Sequence, residues 1–318
     1  MKRKLIGAIR WDAWVGDNHP VGLEVEKTLS NPKYHNRLPF YSQMENNLIN
    51  IRCTSEEIIR REIEYAYNYG IDYFAFCWYP PNSGLDIARN IFLSIKQTKV
   101  KWCPILGTNP FNQTDANWLI KEFKNDNYLK IDNRPVIFLF NVNESLLEIV
   151  NYIRKKSQDY NPYFIGLVWN KEQAILVNKQ FDLDALSQYV TPGQENLEYS
   201  ILSEQEREKW QEYLDINKVI PWVTTGWDKR PRFDNPVSWE NCQNFNQEYI
   251  SFPTMDELKK EIESAISFAH KNESDLILIY AWNEFDEGGF IEPTIKEGNI
   301  NLEKLENIKE AIDKMSKI

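Results

Sequence analysis

Short apolar runs rich in Val, Ile, Phe, Tyr and Trp alternate along the chain with longer stretches whose apolar positions recur every three or four residues. The first kind reads as buried strands and the second as amphipathic helices, and their alternation is how a parallel sheet with crossover helices appears in sequence. Strands are expected at 5–14 (LIGAIRWDAW), 72–79 (DYFAFCWY), 101–109 (KWCPILGTN), 134–141 (RPVIFLFN), 163–170 (YFIGLVWN), 185–191, 219–228 (VIPWVTTGWD) and 275–285 (DLILIYAWNEF). The intervening helices are expected from the cap Ser55 to Tyr69, stopped by Gly70, then at 85–96, from Thr114, from Ser145, at 171–180, at 203–217, from the cap Thr254 to His270, and at 302–315. Eight strand–helix units in 318 residues predict one α/β domain over 1–318, a single (β/α)8 TIM barrel. Long insertions near 16–50 and 229–253 are expected as loops on its catalytic face. An open doubly wound sheet carries the same alternation, since sequence does not display closure.

That architecture directs attention to the residues ending each strand, because active sites of such barrels lie at the C-terminal ends of the strands. These residues are Trp11, Asp12 and Trp14, Trp78 and Tyr79, Asn109, Asn141, Trp169 and Asn170, Tyr189, Trp227 and Asp228, and finally Trp282, Asn283 and Glu284. Aromatic faces stack on the apolar faces of sugar rings while Asp, Asn and Glu bind hydroxyls, so the mixture reads as a carbohydrate cleft. With 11 tryptophans in the chain, core packing is the competing explanation.

The most informative segment is Trp282-Asn283-Glu284-Phe285-Asp286-Glu287-Gly288-Gly289, where three carboxylates crowd into four residues as an apolar strand gives way to a loop. Like charges held close push their pKa values apart, leaving one carboxyl as an acid and another as a base. Residues three apart on a straight strand face opposite sides, so a Glu284/Glu287 pair requires the chain to turn after Glu284, which Gly288 and Gly289 permit. A solvated acidic loop is the alternative.

Charge and composition narrow the partners. A net charge of −10 argues against nucleic acid, whose binding needs clustered Lys and Arg. No apolar run approaches the ~20 residues of a membrane span, and the run after Lys4 is broken by Arg10 and Asp12 before it forms a signal peptide. Cys53, Cys77, Cys103 and Cys242 lack metal-type spacing and read as reduced core thiols, so a cytoplasmic location is expected. His19, His35 and His270 lie far apart, and no phosphate- or dinucleotide-binding glycine motif is present, so neither metal nor cofactor is expected. Arg230 and Arg232 suit a carboxylate or sulfate clamp on an acidic sugar, or else are surface charges.

The segment WNEFDEGG, followed by IEPT, resembles the WNEW-x-EG signature of glycoside hydrolase family 99 and of the related WbsX-like proteins, which are described as glycosyltransferases. The similarity extends to the opening strand, to FAFCWYPP after the second strand and to GWD-x-RPR near Trp227. The resemblance implies a metal-independent enzyme that cleaves α-mannosyl-type linkages of an oligosaccharide or polysaccharide with retention. It implies that Glu287 is the general acid and base at the glycosidic oxygen, and that Glu284 deprotonates the sugar 2-hydroxyl, whose oxygen then attacks the anomeric carbon. A WbsX-like transferase of polysaccharide assembly and a non-catalytic carbohydrate-binding barrel are the alternatives. Asp286 stands where the family has histidine; it either raises the pKa of Glu287 or binds an amine or hydroxyl of a different sugar.

Overall fold

The computed structural model describes residues 3–46, 48–194, 197–241 and 250–317, so Cys242 lies outside the described residues. Eight parallel strands form the barrel: β1 (Leu5–Arg10), β2 (Tyr73–Cys77), β3 (Lys101–Leu106), β4 (Arg134–Leu139), β5 (Tyr163–Leu167), β6 (Ala185–Ser187), β7 (Trp222–Thr224) and β8 (Leu276–Tyr280). Each pairs with its sequence neighbour, and β8 returns to β1 through Leu5↔Leu276 and Ala8↔Ile279. Between β6 and β7 the ladder narrows to one parallel bridge, Leu186↔Val219, where Ile220 N–H donates to the Leu186 carbonyl at 2.8 Å. An open doubly wound sheet is thereby excluded. Strand residues are buried almost without exception, as expected of strands covered by helices on one face and barrel interior on the other.

The crossover helices are α1 (Glu56–Asn68), α2 (Ile87–Ser94), α3 (Gln113–Glu122), α4 (Glu144–Lys156), α5 (Lys171–Phe181), α6 (Tyr199–Leu214), α7 (Met255–Lys271) and α8 (Glu303–Met315). Ser55 caps α1 by accepting from Ile58 N–H at 3.2 Å, and Thr254 with Glu257 forms a capping box on α7. Helix α4 begins earlier than its sequence suggests: Asn143, not Ser145, accepts from Leu146 N–H at 3.0 Å. Helix α6 also starts four residues early, at Tyr199, because Tyr199 and Leu202 are buried and continue its inner face. The strands stop short of the expected runs. Pairing ends before residues such as 11–14 and 107–109, which become loops of the C-terminal face.

Both insertions fold over that face. The first contains a helix (Pro20–Thr28), a short helical turn (Pro32–Arg37) and a small hairpin; from it Arg37 reaches the carbonyls of Asp228 and Phe285. The second contains a one-turn helix (Arg230–Asp234) and a strand (Ile250–Ser251) paired with Trp227–Asp228. Cys53, Cys77 and Cys103 are free and buried. Among the described residues no helix is long and apolar enough to cross a membrane.

Candidate active site

Strand β8 hands the chain to the acidic segment under tight control. The Tyr280–Ala281 peptide is cis. Trp282 N–H donates to the Ile9 carbonyl at 2.7 Å, the Asn283 side chain accepts from Trp11 N–H at 2.9 Å, and Trp14 Nε1–H donates to the Asn283 carbonyl at 2.7 Å. The end of β8 is thus bolted to the end of β1. The chain then reverses: Asn283–Glu284 pairs antiparallel with Gly289–Phe290, Glu287 N–H bonds back to the Glu284 carbonyl at 3.3 Å, and Gly288 takes φ +85°. This is the turn that a Glu284/Glu287 pair requires, and both carboxylates line one cavity of about 550 Å³.

The rest of the cavity wall comes from the ends of other strands. Cys77 ends β2; Trp11, Tyr79, Thr108, Phe140 with Asn141, and Tyr189 follow β1, β2, β3, β4 and β6, while Lys229, Arg232, Trp239 and Glu240 come from the segment after β7. Trp11 Nε1–H donates to the Tyr79 hydroxyl. Phe140 and Tyr189 pack with centroids 4.9 Å apart, and Trp239 meets Trp11 edge-on at 6.0 Å.

The two glutamates sit in opposite electrostatic settings. Glu284 is 3% exposed; its Oε1 accepts from the Tyr189 hydroxyl at 3.1 Å, and its Oε2 has no hydrogen-bond partner among the described residues. Burial, reinforced by the charge of Glu287, pushes the Glu284 carboxyl well above the usual range. Burial would push Glu287 the same way, but Arg232 and Lys229 outweigh it and bring its carboxyl down to about 2. Glu287 accepts from Arg232 and from the Tyr280 hydroxyl and lies 3.0 Å from Lys229 Nζ, whereas Glu284 stands 3.9 Å from Arg232. The surroundings thus favour the proton of the pair on Glu284 over Glu287.

Arg232 is the hub of this arrangement. Its Nε donates to Asp286 at 2.7 Å, Nη1 donates to Glu240 at 3.0 Å as well as to Glu287, and its guanidinium lies 5.3 Å from the Trp11 ring and 5.8 Å from the Trp239 ring. Asp286 is consequently buried against Arg232. It does not line the cavity, and the Glu287 carboxyl moves down because Arg232 and Lys229 outweigh its burial.

Several residues flagged from the sequence stand elsewhere. Trp14, Trp78 and Trp282 are fully buried core: Trp78 packs on Phe111 at 4.7 Å beneath the Arg89 guanidinium, and Trp282 packs on Phe74 at 4.9 Å and donates to Glu62 at 3.2 Å. For these three the bunching of aromatics reflects packing beneath the face. Trp227 is buried with its ring 6.2 Å from Tyr280. Asp12 accepts from buried Arg10 at 2.7 Å, Asn109 donates to the Trp78 carbonyl at 3.1 Å, and Trp169 packs behind Phe140 at 5.9 Å. Asp228 is buried between Arg37 and Arg230, so the expected Arg230/Arg232 clamp is split between two cavities. Lys229, Trp239, Glu240 and Tyr280 escaped the sequence reading. Three of them belong to an insertion without periodicity, and Tyr280 lies inside an apolar strand; the cation run around GWDKRPR was the one available signal.

Comparison with solved structures yields the endo-α-mannosidase of glycoside hydrolase family 99 from Bacteroides thetaiotaomicron. Bound to bis-tris-propane it gives a TM-score of 0.62 at 16% identity over 100% of this chain and 99% of that one. A second structure of that enzyme gives 0.63 at 15% identity, covering 98% and 97%. At such identities the likeness establishes a shared fold. No curated protein matches the chain. The family model described as Glycosyltransferase WbsX matches residues 108–305, a span running from the end of β3 through the acidic hairpin into α8. The chain belongs to the WbsX glycosyltransferase family.

Proposed function

We propose that the chain is an enzyme acting on an α-linked glycosidic bond of an oligo- or polysaccharide, with retention, through Glu284 and Glu287. The observation that carries this reading is the opposite setting of two buried carboxylates in one aromatic-walled cavity, Glu284 pushed up by burial and Glu287 brought down by Arg232 and Lys229. A neutral carboxyl beside a charged one is what breaking a glycosidic bond requires: one protonates the leaving oxygen while the other takes a proton or meets developing positive charge. The electrostatics favour Glu284 as proton donor and Glu287 as base, opposite to the order that the family resemblance implies. The α configuration, with mannose as first candidate, draws support from the mannosidase of like fold. Trp11, Tyr79, Tyr189 and Trp239 supply ring faces for a sugar.

The test is hydrolysis of a panel of α-linked oligosaccharides and aryl α-glycosides by wild type, Glu284→Gln and Glu287→Gln, with the product anomer followed by NMR. Both variants are expected to lose about 10²-fold or more in kcat on natural linkages. An aryl glycoside with an acidic phenol needs no proton donor and is expected to rescue Glu284→Gln alone. Rescue of Glu287→Gln instead would restore the order of the resemblance, and full activity in both variants would remove the pair from the chemistry.

The family description favours a second reading, transfer of the sugar to an acceptor saccharide by the same pair. Adding acceptor oligosaccharide to the same assay separates the two: a lengthened product marks transfer, reducing sugar alone marks hydrolysis.

A further inference from the structure

A second cavity, of about 450 Å³, opens between the two insertions, the strand end at Phe290 and helix α8. Its wall carries Lys33, Arg37, Arg230, Lys296 and Lys304. Their counter-ions are too few. Arg37 and Arg230 share the single carboxylate of Asp228, Lys33 meets Asp234 at 2.6 Å, and Lys296 stands 3.9 Å from Glu303. Lys304 has no carboxylate partner among the described residues; its ammonium donates to the carbonyls of Phe290 at 2.7 Å and Thr225 at 3.1 Å. Glu292, also on the wall, is buried, and burial and then Glu62 push its carboxyl well above the usual range. Five basic side chains thus face the carboxylates of Asp228, Asp234 and Glu303, with the Glu292 carboxyl buried beside them. Burial, then repulsion from Arg37, lowers the Lys304 amine to about 7, as expected of a cation that lacks its anion.

The aromatic rings in this cavity are already occupied. Lys33 lies 4.9 Å from the Tyr34 centroid, Arg37 lies 5.2 Å from that of Phe252, and Lys304 lies 3.9 Å from that of Phe290. The rings help to seat these cations in the wall.

We propose that this cavity binds a phosphoryl dianion, gripped by Arg230 and Lys304 with Arg37 behind them. A guanidinium fork and an ammonium approaching from different elements suit an oxyanion with several oxygens, and the basic side chains of the wall outnumber the carboxylates that face them. The source is a free phosphate, a sugar phosphate or the diphosphate of a nucleotide-linked sugar. Asp228 N–H donates to the Glu287 carbonyl at 2.7 Å, so the segment that grips the anion also abuts the catalytic hairpin. The inference goes beyond the catalytic reading and stands whether or not Glu284 and Glu287 react as proposed.

Calorimetric titration of the full chain at fixed ionic strength with inorganic phosphate, pyrophosphate, uridine diphosphate, sulfate and glucuronate tests it. The phosphoryl compounds are expected to bind at millimolar concentration or below and sulfate and glucuronate more weakly. The tightest phosphoryl probe identifies the source. Arg230→Gln, whose side chain is 40% exposed, and Lys304→Met are each expected to weaken binding by about tenfold or more, from loss of a charge-assisted hydrogen bond. Circular dichroism and melting checks that each variant is folded, and Arg230→Gln carries the test if Lys304→Met is not. No binding of any phosphoryl compound to wild type, equal binding of sulfate or glucuronate, or unchanged affinity in the folded variants overturns the proposal.

Discussion

Arg232 sets the two glutamates apart by distance. It binds Asp286 and Glu287 directly and stands 3.9 Å from Glu284, so its charge favours ionisation of the nearer glutamate more than the farther one. If the site works as proposed, activity appears as pH rises through the depressed pKa of Glu287 and disappears as it rises through the raised pKa of Glu284. Arg232→Met removes one of the two cations holding Glu287 ionised. The acid limb of the kcat/KM profile is then expected to move up by about one pH unit or more, because burial is opposed by Lys229 with one cation fewer. An acid limb that does not move assigns it to another group. The sequence showed the three carboxylates and Arg232 but not their partnership, because residues 232 and 287 lie 55 positions apart and only the closed barrel face brings them together.

The acidic hairpin works only if its second half packs closely on β8. A Cβ on Gly289 would stand 2.1 Å from Tyr280 Cε1, and it is the Tyr280 hydroxyl that donates to Glu287. Gly289→Ala is therefore expected to displace the Tyr280 ring, costing about 1–3 kcal/mol in chemical denaturation and lowering activity with it. Normal activity in a destabilised variant would show that Tyr280 does not position Glu287. At this scale much was legible: eight strands and their helices follow from period and length, and the turn after Glu284 follows from the paired glycines. The early starts of α4 and α6 were hidden, since Asn143 and Tyr199 each support a loop as readily as a helix end until buried neighbours select the helix.

Across the whole molecule, the packing of helices on strands leaves two carboxyls buried between α6, α7 and β7. Burial, then repulsion from Glu261, raises Glu206 to about 8, and burial raises Glu261 to about 7 despite Arg207. Glu206 accepts from the Thr224 hydroxyl at 2.5 Å. Because both folded-state values exceed the ordinary 4.5, their protonated forms support the fold fully below that pH, and the support is lost as pH rises toward 7 and 8. The melting temperature is expected to fall between pH 5 and 8 by several degrees, corresponding to roughly 1–3 kcal/mol. Glu206→Gln, which cannot ionise, is expected to flatten that slope. A slope unchanged in the variant places the titration elsewhere.

By itself the sequence determined the repeating strand–helix alternation, the position of the acidic hairpin at the last strand and the aromatic character of the strand ends. These are local properties, set by side-chain period, turn chemistry and composition within a dozen residues. Tertiary structure alone decided barrel closure at Leu186↔Val219, which of the tryptophans face the cavity, and how the cations of one insertion divide between two cavities. Side-chain charge is written in the sequence, but its energy depends on distance and burial, and those are fixed only when residues far apart in the chain are packed together.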